Sequence, residues 1–146
     1  MRVYLDNCCL NRPFDDPSQV RIALEAQAVA VILTLCESGG WTMISSDALE
    51  FEAGQAPAGQ RKAWLNEVLL GAGGYIAIDA TIMARAAELQ SRGFRNIDAI
   101  NIASAEAAGA DRLVTCDDGL LRVAKKQTDL RTRILSPLEI MQELEK

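Results

Sequence analysis

Acidic side chains follow three of the predicted strands and offer the residue types of a metal centre. Asp6 ends the first predicted strand, Asp117 ends the fourth, and Glu50 and Glu52 lie on the helix after the second. Asp98 lies in the first turn of another predicted helix, where the positive end of the macrodipole tolerates a carboxylate. Ligands of open parallel sheets collect beyond the carboxyl ends of the strands. We therefore expect these carboxylates to meet at one edge of a sheet.

The absence of histidine narrows the chemistry that such a cluster could perform. Without histidine, the Ser-His-Asp and Cys-His mechanisms are excluded. Several carboxylate oxygens without imidazole or thiolate match a hard cation, Mg²⁺ or Mn²⁺. Such a site can polarise a phosphoryl oxygen and generate hydroxide for in-line attack on a phosphodiester.

Each acid also has a structural interpretation of its own. Asp98 could be a favourable first-turn charge, and Asp117 with Asp118 could form a turn and cap before Gly119. Asp6 is harder to explain structurally, because a carboxylate at the mouth of a buried strand needs partners or a metal. The functional hypothesis therefore depends on the acids acting jointly.

Glu50 and Glu52 cannot both face one site. Two residues along a helix correspond to roughly 200° of rotation, so their side chains point to opposite sides. One of them is expected to be a ligand or an orienting group, and the other is expected to be solvated.

The four cysteines show no zinc-binding spacing. Cys8 and Cys9 are adjacent, Cys36 and Cys116 are distant, and no CxxC pair is present. We therefore expect reduced, packed thiols in a cytoplasmic protein. The first residues reach Asp6 before any long apolar run, which predicts no secretory signal peptide, and no apolar stretch is long enough to predict a membrane span.

Strands that alternate with helices must position the acids. The length of 146 residues and the hydrophobic fraction of 49 % are typical of a single globular domain, here taken as 1–146. No hairpin turn joins the strands, so the pattern predicts an α/β fold with a central, mostly parallel sheet of about five strands flanked by helices. The predicted strands are 3–5, 42–45, 75–78, 113–115 and 133–135. Helices are predicted near 18–37, 47–52, 61–70, 81–92, 97–108 and 121–124, with a last one from 137.

Four segments resemble the motifs of PIN-domain proteins, in family order and spacing over essentially the whole chain. They are VYLDNCCLNRPF at 3–14, SDALEFE at 46–52, DAINIASA at 98–105 and LVTCDD at 113–118. The resemblance implies a PIN-like fold and an Mg²⁺- or Mn²⁺-dependent site that hydrolyses RNA phosphodiester bonds.

The resemblance also implies which residues act. The four family acids map to Asp6, Glu52, Asp98 and Asp117, with Glu52 counted from the strand-ending serine. Asn101 stands where many relatives have histidine, which removes an auxiliary polar contact. Many small bacterial members are toxins held inactive by an antitoxin protein, so the resemblance implies an RNA substrate and an antitoxin partner, and it is compatible with a homodimer.

The net charge of −5 argues against binding nucleic acid by phosphate neutralisation alone. Contact with RNA would then be local, through the metal and arginines such as Arg12, Arg92 and Arg95.

Other protein families fit the sequence less well. A haloacid-dehalogenase-type phosphatase needs a second Asp where Cys8 stands, and a phospho-receiver needs an acidic pair near Asp6. A dinucleotide-binding domain needs a glycine motif after the first strand. The remaining alternative is a catalytically silent PIN-like binding module in a protein complex.

Overall fold

A computed structural model describes residues 1–145, in which five strands alternate with helices. The strands are β1 (Arg2–Leu5), β2 (Thr42–Ser46), β3 (Gly74–Ile76), β4 (Arg112–Val114) and β5 (Arg133–Leu135). The helices are α1 (Asn7–Asn11), α2 (Val20–Glu37), α3 (Asp47–Gly54), α4 (Gln60–Leu70), α5 (Ala80–Ser91), α6 (Asn96–Ala107), α7 (Asp118–Ala124) and α8 (Pro137–Leu144).

All five strands form one parallel sheet in the order β3-β2-β1-β4-β5. This confirms the predicted α/β fold class. Because parallel crossovers are right-handed, the connections that run from β1 toward β3 lie on one face, and those that run from β3 toward β5 lie on the other. β1 is the central strand. The chain adds β2 and then β3 on one side of it, and then reverses to add β4 and β5 on the other side. Parallel sheets place their ligand crevice at such a reversal, which here lies beside Asp6.

The apolar residues of β1 explain why this strand is central. Val3, Tyr4 and Leu5 are fully buried, because helices cover both faces of the sheet. Parallel strands that are buried on both faces consist of consecutive apolar residues, as the sequence of β1 does. Asp6 is the first polar residue after this run. Because its surroundings are buried, its carboxylate destabilises the fold unless it has polar partners.

Several element boundaries differ from the predictions. The helix expected from 18 begins at Val20, because the Asp16 side chain accepts a hydrogen bond from the Ser18 amide (3.0 Å) and forms a turn. The helix expected at 97 begins at Asn96, so Arg95, rather than Asn96, is the residue that precedes it. The third strand is Gly74–Ile76 instead of 75–78.

The segment after β1, where no helix was predicted before residue 18, is largely helical. Asn7–Asn11 forms α1, and a 3-10 turn follows at Arg12–Phe14. A five-residue helix is too short for hydrophobic periodicity to reveal it. Asp6 caps the N-terminus of this helix, since its Oδ1 accepts a hydrogen bond from the Asn7 amide at 2.8 Å. Across residues 1–145, the structure contains no helix with the length and apolar character that a membrane span requires.

Candidate functional site

The four predicted acids all lie at the carboxyl edge of the sheet. Asp6 follows β1, and Asp117 lies after β4 and caps the N-terminus of α7. Glu52 lies on α3, directly after β2. Asp98 is the third residue of α6. β2, β1 and β4 are neighbours in the sheet, so the side chains that follow them share one crevice.

Asp6 is the buried centre of this group. Its side chain accepts hydrogen bonds from the Asn7 amide through Oδ1 and from the Thr115 hydroxyl through Oδ2 (3.0 Å). Thr115 Oγ1 in turn accepts a hydrogen bond from the Asp117 amide (3.1 Å), so one hydroxyl orients both acidic segments. Burial raises the pKa of Asp6 well above its usual value, and the nearby Cys8 and Asp98 raise it further.

Glu52 faces Asp6, whereas Glu50 faces outward. Glu52 is half-buried, and burial raises its pKa to about 7, with further contributions from Asp6 and Asp98. Glu50 is exposed and accepts a hydrogen bond from the Tyr75 hydroxyl at 3.2 Å. The opposite orientations agree with the helical geometry expected from the sequence and leave Glu52 as the member of the pair in the crevice.

A buried polar chain holds Glu52 in place. Ser46 donates to the Tyr4 hydroxyl (2.6 Å), which donates to Asn101 Oδ1 (2.5 Å). Asn101 Nδ2 then donates to Glu52 Oε1 at 2.8 Å. The expectation that Asn101 removes a polar contact is therefore wrong for this chain, because its amide supplies both an acceptor and a donor to the site.

Tyr4 and Asn101 were not expected as site residues. A tyrosine in an otherwise apolar buried strand is one signal, because a buried hydroxyl requires a partner. Asn101 lies three residues after Asp98, which places both on one face of α6. Ser46 and Thr115 contribute their hydroxyl groups to these hydrogen bonds, whereas Asn7 contributes its backbone amide.

Arg95 bridges the remaining two acids. Its Nε lies 3.0 Å from Asp98 Oδ2, and its Nη2 donates to Asp117 Oδ2. Burial raises the pKa of Asp98, and Arg95 opposes that shift. The Arg95 side chain is 68 % exposed, so a flexible guanidinium provides the positive charge between two carboxylates.

The other arginines and Asp118 are occupied elsewhere. Arg12 pairs with Asp15 and Glu25, and Arg92 pairs with Asp129. These pairs leave Arg95 as the one arginine of the three candidates that lies among the predicted acids. Arg21 forms a two-pronged ion pair with the exposed Asp118, which directs this acid away from the crevice.

The donor set fits a hard divalent cation. The four carboxylates supply oxygen ligands only, and burial raises the pKa values of Asp6, Glu52 and Asp98, with further contributions from neighbouring acids. Within the described residues, no three acidic side chains bring one oxygen each within 4.8 Å of the others. Arg95 stands in for part of the charge that a cation would supply.

The PIN domain model matches residues 3–126 of the sequence. The chain belongs to the PIN domain family. PIN domains are generally nucleases that depend on divalent metal ions, so the resemblance inferred from the four motifs is confirmed at the level of the family. No curated protein matches the sequence significantly.

Two solved structures share the PIN fold at low sequence identity. The VapBC2 complex of Rickettsia felis, bound to a DNA fragment from its promoter, contains a chain that is 16 % identical, with a TM-score of 0.60 over 93 % of this chain and 98 % of that one. PAE2754 from Pyrobaculum aerophilum is 18 % identical, with a TM-score of 0.57 over 99 % and 98 % of the two chains. At such identities the likeness establishes the shared fold.

Replacing Tyr4 by phenylalanine should destabilise this PIN domain by about 1–3 kcal/mol, because Asn101 Oδ1 and Ser46 would be left buried without their partner. Urea unfolding measures the change. Tyr75→Phe is the matched control, since the Tyr75 hydroxyl is exposed and surface changes are usually within about 0.5 kcal/mol. Equal stabilities of the two variants would contradict the role given to the buried chain.

Proposed function

We propose that this PIN domain protein is an Mg²⁺- or Mn²⁺-dependent endoribonuclease whose cation is held by Asp6, Glu52, Asp98 and Asp117. The observation that carries the proposal is the grouping of four carboxylates in one crevice, where burial and mutual repulsion raise the pKa values of three of them. Proteins retain such an arrangement at a cost in stability, and that cost is relieved when a cation binds.

The fixed side chains have distinct tasks. Thr115 and the Asn7 amide orient Asp6, and the Tyr4–Asn101 chain orients Glu52, so these two ligands are preorganised. A bound divalent cation supplies charge stabilisation at the phosphoryl group and lowers the pKa of the attacking water. We infer that Arg95 releases Asp98 and Asp117 when the cation binds and then contacts an RNA phosphate at the mouth of the crevice.

A toxin role in the cytoplasm is part of the same proposal. The chain from the structure of VapBC2 of Rickettsia felis bound to promoter DNA aligns over nearly its full length with this one. By that likeness we propose an antitoxin partner for this chain. Expression of the active protein alone should slow bacterial growth, and co-expression of the partner should restore it.

The decisive experiment is cleavage of mixed cellular RNA by the purified protein with Mg²⁺, Mn²⁺ or chelator. We expect internal cuts with either metal and none in chelator. In parallel melts, the metal should stabilise the fold by about 2.7 kcal/mol at a hundredfold excess over its dissociation constant. Metal binding without RNA cleavage would indicate the silent binding module instead, and the absence of both would overturn the proposal.

A further inference from the structure

Three cysteines form a second cluster behind the acidic crevice. Cys8 and Cys9 lie on α1, and Cys116 lies in the segment after β4. Their three sulfur atoms all lie within 4.8 Å of one another, and the Sγ atoms of Cys9 and Cys116 are 3.5 Å apart. In residues 1–145, no other group of three thiol or acidic side chains brings its ligand atoms this close. The adjacency of Cys8 and Cys9 concealed the cluster, because its third member comes from a segment 107 positions away.

The spacing of the Cys9 and Cys116 sulfur atoms is close to that in a tetrahedral zinc centre. Zn–S bonds of about 2.3 Å place two sulfur ligands about 3.8 Å apart. The Cys9–Cys116 distance already lies within a few tenths of an ångström of this value. A disulfide between the same atoms would require an approach to about 2.05 Å, which is a much larger movement.

Cys8 links this cluster to the acidic crevice. The Sγ of Cys8 donates a hydrogen bond to Asp6 Oδ2 at 3.5 Å. Cys8 is half-buried whereas Cys9 and Cys116 are buried, so Cys8 and Asp6 form the entrance from the crevice to the cluster.

Two arginines can offset the charge of thiolates at this place. Arg21 Nη2 lies 3.5 Å from the Cys116 carbonyl oxygen. Arg12 lies beside Cys116, and its Nε is buried with no hydrogen-bond partner among the described residues. A thiolate at Cys116 would give that orphaned donor an acceptor, which reduces the cost of burying charge.

We propose that Cys8, Cys9 and Cys116 bind Zn²⁺ through their three thiolates. Each thiol gives its proton to solvent as the ion binds. Thiolates favour Zn²⁺ over Mg²⁺ and Mn²⁺, which take oxygen ligands, so the two adjacent sites differ in the cations that they select.

The hydrogen bond from Cys8 to Asp6 couples the two sites. A Cys8 thiolate that binds Zn²⁺ can no longer donate this hydrogen bond, so Zn²⁺ should inhibit the nuclease by disturbing Asp6 without occupying the acidic site. This consequence rests on the proposed function, whereas the binding of Zn²⁺ does not.

Cd²⁺ is the spectroscopic probe for the site. Titration of the reduced, metal-free protein with Cd²⁺ should produce an ultraviolet thiolate-to-cadmium absorption band that saturates at one equivalent. Excess Zn²⁺ should remove this band, whereas excess Mg²⁺ should leave it unchanged. Cys8→Ser should weaken Cd²⁺ binding by more than about tenfold, since even the outer-shell partners of metal sites change affinity by roughly 10–100-fold. Cys116→Ser provides a second test if the first variant fails to fold, and circular dichroism checks both. Cys36→Ser, on α2, is the matched control and should keep the full band.

The outcomes separate the two proposals. No band in the wild type, or a wild-type band in both Cys8→Ser and Cys116→Ser, would overturn the zinc site whatever the nuclease does. If RNA cleavage occurs, one equivalent of Zn²⁺ should suppress it at saturating Mn²⁺. For Cys8→Ser, the Zn²⁺ concentration that halves the variant's own uninhibited rate should be about tenfold or more higher than for the wild type. If the protein cleaves no RNA, the cadmium band still decides the site.

Discussion

Asp6→Asn should leave a folded protein that cleaves RNA roughly a thousandfold more slowly than the wild type, which corresponds to about 4 kcal/mol of transition-state stabilisation. Asparagine keeps the shape of the side chain and an oxygen for the Asn7 amide, but it removes a buried negative charge from the centre of the crevice. Single-turnover cleavage of a labelled RNA at saturating Mn²⁺ measures the loss.

The stability of the same variant gives an independent check. Burial raises the folded-state pKa of Asp6 above its unfolded value, so the ionised carboxylate destabilises the fold at neutral pH, and the penalty is relieved as the pH falls through the folded value. Asp6→Asn should therefore melt at or above the wild-type temperature in chelator and respond less to Mn²⁺. Asp118→Asn is the matched control, since Asp118 is exposed and pairs with Arg21, and it should cleave RNA like the wild type. Undiminished cleavage by Asp6→Asn would refute the assignment of the metal site.

Glu52→Gln should reduce cleavage by roughly a hundredfold, or about 2.7 kcal/mol, while Glu50→Gln should stay within about twofold of the wild type. Glutamine keeps the oxygen that accepts from Asn101 Nδ2, so the substitution removes charge with little change in packing. Glu50 lies outside the crevice and contacts Tyr75, so its charge has no ligand role. The two variants are assayed side by side at several Mn²⁺ concentrations.

Metal dependence distinguishes a lost ligand from a general loss of activity. Glu52→Gln should require more Mn²⁺ for half-maximal cleavage, whereas Glu50→Gln should follow the wild-type curve. Equal losses, or a larger loss for Glu50→Gln, would contradict the choice between the two glutamates.

The periodicity of the sequence predicted the fold class, because fully buried parallel strands and the helices between them leave long apolar signals. It also placed the acids at strand ends, where the topology of any parallel sheet brings them together. The hydrogen bonds of Tyr4 to Ser46 and Asn101 could not be predicted in this way, since they join residues 42 and 97 positions apart. The thiol cluster was missed for the same reason, as pairing β1 with β4 is what brings Cys116 beside Cys8 and Cys9.

The position of β1 between β2 and β4 has a consequence for the protein's synthesis. Asp6 leaves the ribosome early, but Thr115, which orients it, is 109 residues further along the chain. At about 5–20 residues per second, translation separates the two by roughly 5–20 s. Until β4 emerges, the first strand lacks one of its two neighbours, and neither the acidic crevice nor the thiol cluster can form. Under the proposed function, a nascent chain therefore has no nuclease site until Asp117 has been added, when about four-fifths of the protein has been made.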